Sequence, residues 1–127
     1  IVSFLVLGRT DLVEIVNATF AKKLQEISIE LINNTAITVV VASKGYPGKF
    51  QKGIKLPSLN QLTPKNDVLI FHSGTSKNED GKLISNGGRV LSITASGDSI
   101  QNCREKAYAV IKNINWNDGF YRKDIEN

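Results

Sequence analysis

The pattern of hydrophobic and polar positions predicts three regular elements in the first third of the chain. A short apolar run, Phe4–Leu7, predicts a buried strand. The next apolar residues recur every three or four positions, which predicts a helix from Asp11 to about Ser28, with Glu14 completing a capping box with Asp11. The continuous β-branched run Ile37–Ala42 predicts a central strand.

The middle of the chain changes character, because eight of the ten glycines and all three prolines lie between positions 45 and 97. This composition predicts short strands and structured turns rather than long helices. The apolar run Asp67–His72 predicts a further strand. Asn86-Gly87-Gly88 predicts a tight hairpin turn, so its flanks Lys82–Ser85 and Arg89–Ala95 are expected to pair with each other.

A second helix is predicted after Gly97, with Asp98 as its cap and Gln101 completing the capping box. Its apolar stripe consists of Ile100, Cys103, Ala107, Val110, Ile111 and Ile114. The aromatic residues of the polar tail are expected to pack down in part. Together these elements predict an α+β domain with a mostly antiparallel, barrel-like sheet and two helices.

Composition and charge narrow the class of protein further. The chain has 127 residues, of which 41% are hydrophobic and 22% charged, as expected for one folded domain. No apolar run approaches the roughly 20 residues of a membrane helix, so no membrane partner is expected. The net charge is +4, but the basic residues are spread along the chain and mixed with acidic ones. Nucleic-acid binding is therefore a remote alternative. A single cysteine fits a reducing cytoplasm.

The chain offers little catalytic chemistry of its own, and no residue is assigned a catalytic role. It has one histidine and one cysteine, far apart, without the spacing of a metal site. Cys103, on the apolar face of a predicted helix, is interpreted as a core residue rather than a nucleophile. His72 is interpreted first as a structural hydrogen-bonding residue.

Three glycine-bearing loops follow predicted strands and are better candidates for ligand binding. They are Ser43–Gly48, His72–Thr75 and Asn86–Arg89. Glycine allows backbone amides to approach an anion closely. Arg89, beside a rigid turn, is suited to hold a phosphate or carboxylate through two parallel hydrogen bonds. Any one of these loops taken alone is more simply explained as a turn.

The order and spacing of the motifs resemble one known family over nearly the whole chain. The segments are Arg9–Leu12, Ala42–Gly48, Phe71–Thr75, Asn86–Leu91, Thr94–Asp98, Ala107–Tyr108 and Phe120–Ile125. They resemble the C-terminal portion of the phosphoribosylamine–glycine ligases, also called glycinamide ribonucleotide synthetases, a family of ATP-grasp enzymes.

This resemblance implies an activity for the intact protein. In the family, ATP phosphorylates glycine, and the amine of 5-phosphoribosylamine attacks the glycyl phosphate. The products are glycinamide ribonucleotide, ADP and phosphate, in cytoplasmic purine (IMP) biosynthesis. The cofactors implied are ATP and Mg²⁺ (or Mn²⁺), whose ligands lie upstream of the matching segment. The chain alone is therefore expected to be inactive and to bind neither cofactor.

Domains and sites follow from the same resemblance. Residues 1–28 are expected to be the last strand and helix of the ATP-grasp domain, and residues 29–127 a C-terminal closing domain. This piece would work with the missing N-terminal and ATP-grasp domains. The expected substrate-binding residues are Arg89, Gly87 and Gly88, with Lys44, Gly45, Tyr46, His72 and Thr75 as second choices. The closing domain of a carboxylase-type ATP-grasp enzyme stays open as an alternative.

Overall fold

The structure is a computed structural model that describes residues 2–59 and 67–125. Its helices are α1 (Val2–Leu7), α2 (Leu12–Phe20) and α3 (Ile100–Ile114), with a 3₁₀ turn at Leu24–Glu26. Its strands are β1 (Thr35–Ser43), β2 (Val68–His72), β3 (Thr75–Lys77), β4 (Leu83–Ser85), β5 (Arg89–Gly97) and β6 (Gly119–Phe120). The α+β class is confirmed, with three α-helices where two were predicted.

Four antiparallel strands form the main sheet, in the order β2-β5-β1-β6. The long strands β1 and β5 lie at its centre, as the β-branched run of β1 predicts. β3 and β4 form a separate two-stranded sheet. The barrel-like expectation is not met within the described residues, because the main sheet ends at β2 and at the two-residue β6. Closure would need hydrogen bonds between these edges.

Helix α3 covers the face of the sheet that carries the core. The buried residues of this layer are Ile37, Val39, Val41, Leu91, Ile93 and Ala95 from the sheet and Cys103, Ala107, Ile111 and Ile114 from the helix. The predicted helical stripe is thus confirmed, except that Ile100 is 48% exposed in the first turn. Of the aromatic residues in the tail, Trp116 and Tyr121 pack against this core, whereas Phe120 is exposed.

The start of α3 lies one residue later than predicted. Ser99, rather than Asp98, is the cap, and its hydroxyl oxygen accepts a hydrogen bond from the amide of Asn102 at 3.2 Å. Gln101 instead donates to Glu105 on the exposed side of the helix at 2.7 Å. Aspartate and serine are comparable caps, so two of them in succession leave the first turn ambiguous in the sequence.

Residues 2–7 form the helix α1, and the strand predicted for Phe4–Leu7 is wrong. A short apolar run does not by itself distinguish a buried strand from a buried helix. A strand here would need a partner along its edge, whereas a helix satisfies its own backbone. α1 lies on the face of β1 opposite to α3, where the hydroxyl oxygens of Ser3 and Thr38 are 2.9 Å apart.

Helix α2 begins as predicted but ends at Phe20 instead of near Ser28. The amide of Val13 donates to Asp11 at 2.7 Å, which confirms the cap. At the other end Lys22 adopts a left-handed conformation with φ 57°. The amide of Lys23 then donates to the carbonyl of Ala18 at 2.8 Å, the Schellman arrangement that terminates many helices.

The apolar stripe of α2 is left largely uncovered by the described residues. Leu12 is 43% exposed, Val16 42% and Phe20 85%. Only Ala18 is buried in this helix. A stripe of this kind normally packs against a core.

β4 and β5 do not form the predicted hairpin. β4 pairs with β3, while β5 pairs with β1 and β2 in the main sheet. Neither Gly87 nor Gly88 adopts the positive φ that a tight hairpin turn requires. A turn does form at Asp80-Gly81, with Gly81 at φ 73°, and it joins β3 to β4.

The side chain of Lys106 connects α3 to Asp67, just before β2, and to Ser96 in β5. Its ammonium pairs with the Asp67 carboxylate and donates to the carbonyl of Ser96 at 3.1 Å. The hydrogen bond to Asp67, reinforced by the negative charge, raises the pKa of Lys106 above its ordinary value of 10.5. The folded state therefore binds this proton more tightly than the unfolded state does.

We expect Lys106→Met to lower Tm by about 2–4 °C at neutral pH. Because the folded pKa is the higher one, this stabilisation is fully present below the ordinary lysine pKa and is lost as pH rises through the folded value. The Tm difference from the wild type should thus be constant from about pH 7 to about pH 10 and shrink only as the pH rises above the ordinary lysine pKa of 10.5. Lys112→Met, on an exposed position of α3, is the control. Equal losses in both variants would contradict the role of the ion pair.

Candidate functional site

The three glycine-bearing loops meet at one end of the main sheet, and we call residues 43–48, 72–75 and 86–89 the glycine junction. The Ser43 amide donates to the carbonyl of Gly88 at 2.7 Å, and the Ser43 hydroxyl donates to that of Gly87 at 2.9 Å. The Asn86 amide donates to the carbonyl of Gly74 at 2.7 Å. The loops that were separate candidates in the sequence are thus one continuous structure.

Close backbone approach explains the glycines at this junction. A Cβ atom at Gly74 would lie 2.6 Å from the carbonyl oxygen of Arg89 and 2.8 Å from Cα of Gly87. Both obstacles are backbone atoms, so a side chain at Gly74 forces the two segments apart. A Cβ at Gly88 would enter the ring of Tyr46. These glycines therefore set how closely the three loops pack, and they do not form a hairpin turn.

Arg89 begins β5 beside a β-bulge. Ala42 pairs with Arg89 and Val41 pairs with Leu91, so Val90 is the extra residue. Val90 and Leu91 are both fully buried as a result. Arg89 lies on the same face of the sheet as Ala42, because residues in register lie on the same side of a sheet. This face is opposite to the one that carries Leu91. The bulge thereby turns an arginine outward immediately before the core begins.

The donors around Arg89 have no acceptors in the described part of the chain. The Arg89 side chain is exposed and forms no ion pair or hydrogen bond with residues 2–59 or 67–125. The amides of Gly87 and Gly88 likewise donate to no acceptor in these residues. The backbone of Arg89 is held in β5, while its guanidinium is exposed and lies next in sequence to two amide donors. This arrangement is suited to bind a phosphate or carboxylate.

Lys44 and Tyr46 lie in the first loop of the junction but make different contacts. Lys44 lines a cavity of about 320 Å³ together with Lys49, Trp116 and Asp118. The ring of Tyr46 lies against Gly88 and meets Phe50 edge-on, with ring centres 6.0 Å apart. Gly45 adopts φ 97°, a conformation that favours glycine. In this loop Gly45 and Tyr46 shape the junction, whereas the Lys44 side chain forms no ion pair or hydrogen bond with the part of the chain that the structure describes.

His72 and Thr75 form a pair of their own. The Nδ1 atom of His72 is 3.0 Å from the hydroxyl oxygen of Thr75. Because His72 is in register with Leu91, it lies on the face of the sheet opposite to Arg89. The backbone of this loop thus belongs to the junction, while the histidine ring is directed to a different surface.

The described residues provide no metal site. Among residues 2–59 and 67–125, no three His, Cys, Asp or Glu side chains come together to hold an ion. Within the same residues, no helix has the length and apolar character needed to cross a membrane.

The core interpretation of Cys103 is confirmed. The thiol is fully buried on α3, and its Sγ donates to the carbonyl of Thr35 at 3.3 Å. Burial raises the pKa of this thiol, and the positive charge of Lys106 offsets the effect only in part. The reactive thiolate is therefore both scarce and inaccessible in the folded chain.

We expect a thiol reagent such as DTNB, at about pH 8, to label Cys103 at least about 100-fold more slowly in the native chain than in the urea-unfolded chain. The released chromophore measures both rates directly. Comparable rates in the two states would contradict the placement of this thiol in the core.

Fold and site together define an α+β domain with an open antiparallel sheet, a helix that covers its core face, and an arginine on a glycine-rich junction whose side chain has no partner within residues 2–59 and 67–125. Residues 36–127 match the family model described as phosphoribosylglycinamide synthetase, C domain. The chain belongs to this family, which confirms the resemblance seen in the motifs.

Similar proteins carry names of the same kind. A phosphoribosylamine–glycine ligase of Caldanaerobacter subterraneus is 41% identical over 123 residues, covering 97% of this chain and 28% of that protein. A chloroplastic one of Arabidopsis thaliana is 37% identical over 119 residues, covering 91% and 22%. The crystal structure of the Thermotoga maritima ligase superposes with a TM-score of 0.65 at 32% identity, covering 87% and 27%. The chain thus spans less than a third of the length of these relatives.

Proposed function

We propose that the chain is the C-terminal part of an ATP-dependent ligase that joins glycine to 5-phosphoribosylamine in purine biosynthesis. The observation that carries this proposal is the family match across residues 36–127. Relatives named as phosphoribosylamine–glycine ligases extend the similarity over 91–97% of the chain. Their names favour this activity over that of a carboxylase-type relative.

In this proposal residues 1–28 end an ATP-grasp domain and residues 29–127 form the closing domain. Support comes from the uncovered stripe of α2, whose exposed Leu12, Val16 and Phe20 would pack against the preceding domain. The match to the C-domain family begins only at residue 36, after α2. In such an arrangement the closing domain brings the Arg89 face of its sheet to the shared active site.

ATP and Mg²⁺ would bind outside the described residues of this chain. Within these residues no three His, Cys, Asp or Glu side chains come together around a common point. The contribution of this chain is instead to bind and orient substrate. Magnesium, where bound, would neutralise the charge of the transferring phosphoryl group.

Arg89 is the residue we assign to the phosphate of the ribosyl substrate. Its guanidinium and the amides of Gly87 and Gly88 offer several donors that no described residue occupies. A phosphate held at this point lies away from the amine that reacts. Binding energy from such a remote group is used to orient the reacting group.

Genetic rescue tests the proposal. The longer protein that carries this chain should restore growth without purines to a bacterial strain that lacks its own phosphoribosylamine–glycine ligase. The 127-residue chain alone should not. Failure of the longer protein, when expressed and folded, would contradict the ligase assignment. Rescue by the chain alone would contradict the placement of the nucleotide and metal sites outside it.

A further inference from the structure

We propose that a second groove of this domain, separate from Arg89, binds a phosphate monoester that carries an apolar or planar body. The groove has a volume of about 440 Å³ and lies between residues 55–59, His72 and the β3–β4 hairpin. Because His72 and Arg89 lie on opposite faces of the main sheet, the groove is distinct from the site assigned to Arg89. The proposal therefore does not depend on the ligase activity.

Positive charge is concentrated around this groove. Lys55, Lys77 and Lys82 line it, and the described lining contains no carboxylate. Lys55 and Lys77 form no ion pair within residues 2–59 and 67–125, and Lys82 has only a long, exposed contact of 3.9 Å with Asp80. Like charges around a concave surface repel one another and focus the field into the cleft, so a bound anion is favoured.

His72 can add a directed hydrogen-bond donor to the lysines, in the tautomer that carries its proton on Nε2. Its Nδ1 atom is 3.0 Å from the hydroxyl of Thr75, which orients the ring. When the Thr75 hydroxyl donates to Nδ1, the ring proton lies on Nε2. Nε2 has no partner in the described residues, so it is available to donate to a phosphate oxygen.

The floor of the groove is apolar and belongs to the folded core. Leu56 is 3% exposed, and Leu59 and Leu83 pack against the core cluster. The Leu56 amide donates to the carbonyl of Leu83 at 2.9 Å, which fixes the loop to β4. An apolar floor with a few polar groups at the rim is typical of sites for organic ligands rather than for bare ions.

A titration of the ¹⁵N-labelled chain with phenyl phosphate tests the proposal, with backbone amide shifts as the readout. Perturbations should centre on Leu56, His72, Lys77 and Leu83. Inorganic phosphate, which lacks the phenyl ring, should bind at least about fivefold more weakly than phenyl phosphate. Benzyl alcohol, which lacks the charge, should cause no shifts at these amides. Equal affinities for phenyl phosphate and inorganic phosphate would overturn the role of the apolar floor.

Matched variants locate the binding. Lys77→Gln and Lys55→Gln should each lower the affinity for phenyl phosphate by about three- to tenfold, whereas Lys112→Gln on α3 should not. An equal loss with Lys112→Gln would mean diffuse attraction to the whole protein and would overturn the proposal. Arg89→Gln should remove any phosphate-induced shifts at the amides of Gly87 and Gly88 and leave the shifts at Leu56, His72, Lys77 and Leu83 in place. If instead only Arg89→Gln abolishes binding, the groove is refuted while the role of Arg89 stands.

Discussion

Arg89→Ala, made in the proposed ligase, should lower kcat/KM for 5-phosphoribosylamine by about 10²–10³-fold and leave Tm unchanged. The activity is expected to fall because the variant removes the charge-assisted hydrogen bonds that we propose Arg89 donates to a phosphate. Stability is unaffected because the side chain is exposed and has no partner in the described residues. Steady-state ADP release and thermal unfolding measure the two quantities.

The kinetic constant that changes identifies what Arg89 holds. If Arg89 contacts the ribosyl phosphate, Arg89→Ala raises KM for the amine, alone or together with a loss of kcat, and leaves KM for glycine as it was. If Arg89 contacts only the developing acyl phosphate, Arg89→Ala lowers kcat and leaves KM for the amine unchanged. Arg89→Lys, which keeps the charge but loses the planar pair of donors, should fall between the wild type and Arg89→Ala. Unchanged kinetics in Arg89→Ala would refute the assignment.

Gly74→Ala should be among the most destabilising single substitutions in the glycine junction, costing about 2–4 kcal/mol of unfolding free energy. The added Cβ would lie 2.6 Å from the carbonyl oxygen of Arg89 and 2.8 Å from Cα of Gly87. Backbone atoms cannot rotate away as a side chain does, so the strands themselves must shift. Urea unfolding of the chain measures the loss.

Gly48→Ala is the matched control for Gly74→Ala. It adds the same methyl group in another loop of the junction, where the nearest atom, the carbonyl oxygen of Gly45, is 3.2 Å away. We expect it to change the unfolding free energy by less than about 1 kcal/mol. If the two substitutions cost the same, close packing of the backbone does not explain the glycine at position 74.

The parts of the fold that the sequence predicts best are those with long, consistent patterns. The β-branched run of β1 and the apolar stripe of α3 mark the central strand and the helix that covers it. The run at Phe4–Leu7 is too short to show either helical or strand periodicity, so its conformation depends on what it packs against. The partner of β4 is ambiguous for another reason: Asp80-Gly81 and Asn86-Gly87-Gly88 both contain residues typical of turns, and only the first of them joins β4 to its partner, β3.

In the candidate site, too, some features are predictable from the sequence and others appear only in the fold. Glycines mark the three loops in the sequence, yet only the fold shows that Gly74 and Gly87 cross backbone to backbone. The outward direction of Arg89 depends on a bulge that appears only once β1 and β5 are paired. Lys55 and Lys77 are not recognisable as candidates in the sequence, because isolated lysines 22 positions apart form no motif before folding brings them to one groove.

The most direct measurement of the central claim is ADP release by the longer protein, with glycine and 5-phosphoribosylamine omitted in turn and with the 127-residue chain alone as control. We expect ADP release that requires both substrates in the longer protein and none in the chain alone. Removal of the residues that correspond to this chain should abolish the activity. ADP release that does not depend on glycine would contradict the account, because the similarity to the family would then extend to the fold and not to the reaction.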